Sequence, residues 1–108
     1  MATTYKVLGQ VHPAASTNTT LYTVPAATST VCSTFAICNL GVSTTYRIAI
    51  RPAGATLEDK HYLAYEATIN QYDTVMLTIG VTLAATDVVT VRSGTADVTF
   101  QLFGSEIA

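Results

Sequence analysis

The sequence is short of charge. Asp, Glu, Lys and Arg make up 11% of its 108 residues, against roughly a quarter of an ordinary soluble domain. Only five residues are Lys or Arg, the formal net charge is −2 and the isoelectric point lies near 5.4. Binding to nucleic-acid phosphates needs concentrated basic surface, so no nucleic-acid partner is expected. Tryptophan is absent, and there are two cysteines and two histidines. No apolar run approaches the roughly 18 to 20 residues of a membrane helix, and the start, Met1 to Lys6, lacks the basic and apolar segments of a secretory leader. The expectation is a chain made and folded in a cytoplasm, without a membrane partner. Also missing are a G-x-S-x-G elbow, an H-E-x-x-H pair and a phosphate-binding glycine loop, the linear signatures of nucleophile, metal and phosphate chemistry. The expectation is no catalytic residue, no metal and no cofactor.

What is present is Thr, Ser, Ala and short alternating runs of β-branched residues. A neutral surface of this kind costs little desolvation when it meets another protein, whereas a free monomer usually keeps more charge for solubility. Residues 1–108 fit a single domain able to bury one core. Alternation starts at Tyr5, Val7 and Val11, continues through "TLYTVPA", "STVCSTFAICNL", "TYRIAIR" and "HYLAYEATI", and ends with "TVMLTIGVTL", "DVVTVRS" and "DVTFQLFGSEI". Turn formers separate the runs, including Pro52-Ala53-Gly54 and Ser93-Gly94-Thr95. Short strands with turn signals every ~8 to 12 residues predict an all-β fold, a single antiparallel β-sandwich of jelly-roll-like form. About seven to eight strands are expected, with residues 1–20 a partly extended N-terminal segment. "VTVRSGTADVTF" and "ATINQYDTVML" read as hairpins. Val31, Phe35 and Ile37 share one parity, and Val75 to Leu83 alternate without a break.

The candidate chemical groups are few. Cys32 and Cys38 lie six apart on one predicted strand, hence on the same face and ~20 Å apart if the strand is straight. A disulfide needs Cα atoms within about 7 Å, so both are expected as small structural thiols. Glu58 and Asp59 beside Lys60 read as a solvated turn. Asp73, Asp87 and Asp97 each precede a strand, where a short carboxylate accepts bonds from nearby amides. Tyr62 and Tyr65 suggest an aromatic platform for a sugar, although a spacing of three places them on opposite strand faces. In "TTYRIAIRPAG" the side chains of Tyr46, Ile48 and Ile50 should face the core, with Arg47 and Arg51 outward and roughly 13 Å apart. Their expected roles are a solvated face with a cross-strand acid such as Glu66, or a subunit interface, where Arg is enriched.

Taken together, "TTYKVLGQV", "TLYTVPA", "RIAIRPAGA", "KHYLAYEATI", "LTIGVTLAATDVVTV" and the closing "FGSEIA" resemble a family of small β-structured virion proteins of tailed bacteriophages, especially those of cyanobacteria and other aquatic bacteria. The resemblance covers nearly the whole chain and brings no position-specific functional motif. It implies a non-enzymatic structural subunit of a phage virion, first an accessory surface subunit such as a capsid cement or decoration protein. The alternative is a tail, baseplate or fibre component, and the further alternative a carbohydrate-binding adhesion module. Expected partners are other virion proteins and copies of itself, with a trimer plausible, in a virion whose proteins fold in the host cytoplasm. The candidate interface residues are Arg47, Arg51, Tyr62 and Arg92.

Overall fold

A computed structural model of the chain describes residues 2–108. Its strands are β1 (Thr3–Val11), β2 (Thr19–Thr23), β3 (Ser29–Asn39), β4 (Thr44–Arg51), β5 (Tyr62–Ile69), β6 (Thr74–Leu77), β7 (Val81–Leu83), β8 (Val88–Ser93) and β9 (Val98–Ile107), with short 3-10 turns at Pro52–Gly54 and Asp59–His61. One antiparallel sheet has the order β1-β9-β3, with β6 and β7 following end to end along the far side of β3. The other has the order β2-β8-β4-β5. Counting β6 and β7 as one interrupted strand, the chain changes sheet at every connection except β4 to β5. Two four-stranded sheets wound in this way make a jelly roll.

That winding corrects the expected hairpins. β8 and β9 belong to different sheets, as do β5 and β6, so both polar loops carry the chain across the sandwich. A short turn-rich loop serves either purpose, which is why the sequence alone does not separate them. The β6/β7 interruption corrects the unbroken run: residues 78–80 leave the ladder, Gly80 takes φ 57° and Ile79 is exposed. The 3-10 turns at Pro52–Gly54 and Asp59–His61 both lie in the connection from β4 to β5.

The core lies between the sheets. Phe35, Ile37, Phe100 and Leu102 meet Ile48, Ile69, Val89 and Val91, each at most 1% exposed. Register shifts in the strand pairs set which residues reach it, because one extra residue in a strand reverses the facing of everything beyond it. On β3 the register slips between Cys32 and Thr34. Cys32 therefore points inward and Cys38 outward, and Val31 is exposed while Phe35 and Ile37 are buried; the expected shared face is corrected for both sets. On β1 the slip between Val7 and Gly9 turns Leu8 inward. Gly104, across the β3 bulge, has no room for a side chain: a Cβ there would meet the Val31 carbonyl oxygen at 2.1 Å.

One end of the sandwich is tied by Asn39, 1% exposed. Its Nδ2 donates to the carbonyls of Val42 (2.7 Å) and Asn70 (3.1 Å), and its Oδ1 accepts from the Gly41 amide at 3.0 Å. The two loops at that end are thus joined through a fully partnered amide, as burial of a polar side chain requires.

Candidate functional site

The two outer faces differ in charge. Across β1, β9, β3 and the β6/β7 edge, register pairs define rows of side chains that point away from the core: Tyr5-Ser105-Val31-Thr82, Val7-Phe103-Thr34 and Gln10-Gln101-Ala36-Met76. Thr3-Ile107-Ser29 and Thr99-Cys38-Thr74 extend the rows at either end. None of these side chains is charged. Tyr5 is 83% exposed, Met76 62%, Val7 47% and Val31 37%, so large apolar groups stand in solvent on this face. Strands of about nine residues at ~3.3 Å, four abreast at ~4.8 Å, give a face of roughly 600 Å².

Lys6 and Glu106 lie on the same strands but have the opposite parity. They pair at 3.1 Å at the margin between the sheets, and Glu106 also accepts from the Tyr22 hydroxyl at 2.5 Å. That hydroxyl lies 2.8 Å from Thr30 Oγ1 inside the sandwich. Burial, reinforced by the neighbouring carboxylate, pushes the Tyr22 phenol up to about 12. The Tyr22 bond, with help from Lys6, holds Glu106 below the ordinary carboxylate range. This network fastens the last strand to β2 and keeps its charges off the outer face.

The opposite face, on β8, β4 and β5, holds the charge. Arg47 and Arg92 are register partners on β4 and β8. The Arg47 guanidinium grips Glu66 through Nε at 2.5 Å and through Nη2, while Thr45 Oγ1 donates to the other Glu66 oxygen at 2.6 Å. The Thr45 and Arg47 bonds lower the Glu66 pKa. Glu66 is thus the cross-strand acid expected for Arg47. Arg51 is occupied differently: Nε donates to the Ala55 carbonyl at 2.7 Å and Nη2 to the Gly54 carbonyl at 3.1 Å, fastening the turn that follows its strand.

Of the four candidate interface residues, three form a group. Arg47 has Arg92 beside it and its guanidinium carbon 6.0 Å from the Tyr62 ring centroid; Arg51 stands apart. Tyr65 joins the group, contrary to the spacing argument. The register of β5 against β4 slips twice, at Leu63 and again where Tyr65 and Glu66 both oppose Arg47, and Glu66 takes φ 53°. The Leu63 bulge reverses the parity between the tyrosines, so their rings meet edge to face with centroids 4.9 Å apart. Arg47 lies 4.3 Å from the Tyr65 centroid, within cation–π range. A cavity of about 320 Å³ opens beside them, lined by Asp59, Tyr62 and Tyr65. Asp59, expected as part of a solvated turn, lines this cavity.

The remaining candidates are structural. Asp87 accepts from the Ala53 and Ala84 amides, both at 2.9 Å, and Asp73 from the Thr74 amide at 2.9 Å, as strand-preceding carboxylates should. His61 is buried, its Nδ1 accepting from the Glu58 amide at 3.0 Å. His12 Nε2 lies 2.5 Å from the Ala96 carbonyl oxygen. Among the described residues no three His, Cys, Asp or Glu converge as a metal site would.

The class this geometry defines is a jelly-roll β-sandwich with one uncharged and one charged outer face. No protein-family model, curated protein or solved structure matches the chain.

Proposed function

We propose that the protein is a non-enzymatic structural subunit of a tailed-phage virion, an accessory surface protein such as a capsid cement or decoration protein. It docks on its neighbours through the uncharged outer face of the β1-β9-β3-β6/β7 sheet. The observation that carries this reading is the set of outward rows without a charged side chain, in which Tyr5, Val7, Val31 and Met76 stand exposed. Interface cores are depleted of charge and enriched in aromatic residues and Met. A face of roughly 600 Å² is close to the ~800 Å² per partner of a standard interface. The jelly roll is a frequent capsid architecture, which adds support by analogy of fold. Two free cysteines accord with folding in a reducing host cytoplasm. The neighbours are other virion proteins and further copies of this chain, for which a closed ring such as a trimer is the natural symmetric solution.

Gentle disruption of purified virions followed by separation of heads from tails tests the assignment. A head accessory protein stays with heads and binds assembled shells better than free capsid subunits. Recovery with tails moves the assignment to a tail, baseplate or fibre component, and recovery with neither fraction overturns the virion reading.

A further inference from the structure

The geometry points to a second binding site, a furrow beside Tyr62 and Tyr65 that takes a neutral saccharide. It is independent of the proposed docking face, since its residues lie on the opposite sheet and the adjoining turn.

The site is built by a backbone conformation that a plain strand avoids. A side chain with φ near +55° is uncommon outside Gly, Asn and Asp, yet Glu66 holds φ 53° within the second β5 bulge. Bulges re-aim side chains, and strain retained in a fold is a pointer to function. Here the result is that Tyr62, Tyr65 and Glu66 all gather around Arg47. The turn carrying Asp59 is fixed as well: the Glu58 amide donates to His61 Nδ1 and the His61 amide to the Glu58 carbonyl, each at 3.0 Å.

Three features select the ligand class. Tyr65 is 57% exposed and its ring meets that of Tyr62 at 80°, a corner of two aromatic surfaces against which the C–H face of a sugar ring packs while its hydroxyls stay wet. Asp59 forms no ion pair among the described residues; its oxygens accept from sugar hydroxyls and repel carboxylated or phosphorylated ligands. Arg47 already occupies the cation position against Tyr65, so a quaternary ammonium would meet a positive charge where an aromatic cage offers a negative ring face. Exclusion of both signs of charge leaves a neutral polyhydroxylated ligand. The cavity of about 320 Å³ lies at the small end of ligand sites. A second hollow of about 470 Å³ shares Tyr62 with it and is lined also by Ile50, Pro52, Leu63, His61 and Lys60, whose charge Glu58 meets at 3.5 Å, giving room for a further sugar unit.

The test is a titration of the full chain with neutral oligosaccharides of glucose, galactose, mannose and N-acetylglucosamine, read by amide chemical shifts and tyrosine fluorescence. Expected is millimolar or tighter binding of at least one of them, with shifts confined to residues 47–66, weakened about tenfold or more by Tyr65→Ala. Asp59→Asn, which keeps the shape, weakens it several-fold, whereas Tyr5→Ala on the other face leaves it unchanged. No binding across the panel, binding indifferent to Tyr65→Ala, or tighter binding of phosphocholine or sialyllactose overturns the inference. None of these results bears on the head-and-tail fractionation.

Discussion

Replacing Val31 with Lys puts a charge on the uncharged face without entering the core. Val31 is 37% exposed on the outward side of β3, so a lysine there reaches solvent in an isolated subunit. The fold should then lose no more than about 1 kcal/mol, the usual range for a surface substitution. In a docked subunit the ammonium has no acid among the outward rows to pair with. A charge left unpaired in an interface costs ~2 to 5 kcal/mol, or about a 30-fold to few-thousand-fold loss of affinity at 1.4 kcal/mol per factor of ten. The assay is multi-angle light scattering over a dilution series, beside a thermal melt, with Thr23→Lys at the exposed end of β2 as the control. The expected outcome is a V31K protein that melts within a few degrees of wild type but dissociates at far higher concentration, with T23K unaffected. An unchanged mass for V31K, together with dissociation of T23K, would refute the reasoning, because association would then run through the other sheet.

Other expectations follow from the core and from the tethered charges. Phe100→Ala empties a site that is 1% exposed between the sheets and should cost ~3 to 5 kcal/mol, seen as a drop in the urea midpoint with little change in slope. Thiol titration of the native protein should find only Cys38 reactive, because Cys32 is buried and burial pushes its thiol up to about 11; rapid reaction of both would place β3 in the wrong register. Glu66 and Glu106 have lowered pKa values in the fold, so their stabilisation is present above the ordinary carboxylate pKa and is lost as pH falls through the lowered values. Glu106→Gln should flatten that acid limb in melts recorded at stepped pH. On the alkaline side the raised Tyr22 value runs the other way: its contribution is complete below pH 10 and declines towards pH 12. Cys32 and Tyr46, also raised by burial, contribute losses of the same sign, so Tyr22→Phe should reduce the loss in that window, and an unaltered alkaline limb would contradict the network.

The alternating runs carried the fold class, because a strand with one buried face must repeat every two residues. They also located the Arg47–Glu66 pair and placed Tyr46 and Ile48 in the core. What alternation does not register is a bulge. Ser33 resembles its neighbours in "CSTFA", yet its extra place in β3 exposes Val31 and separates Cys32 from Cys38. A close approach that only Gly104 permits, with Gly9 close against Leu21 on β1, was the available sign that these strands are irregular there. Leu63 acts in the same way on β5 and brings together tyrosines that simple periodicity separates. The uncharged face was legible only as a low overall charge; its confinement to one sheet depends on strand order, which loop composition does not encode.

The most direct test of the central claim is a reconstruction of the intact particle with this subunit placed in its density. The outward rows containing Tyr5, Val31 and Phe103 should lie against a neighbouring subunit. A virion in which that face is bathed in solvent while Arg47 and Arg92 make the contact, or one from which the chain is missing, would contradict it.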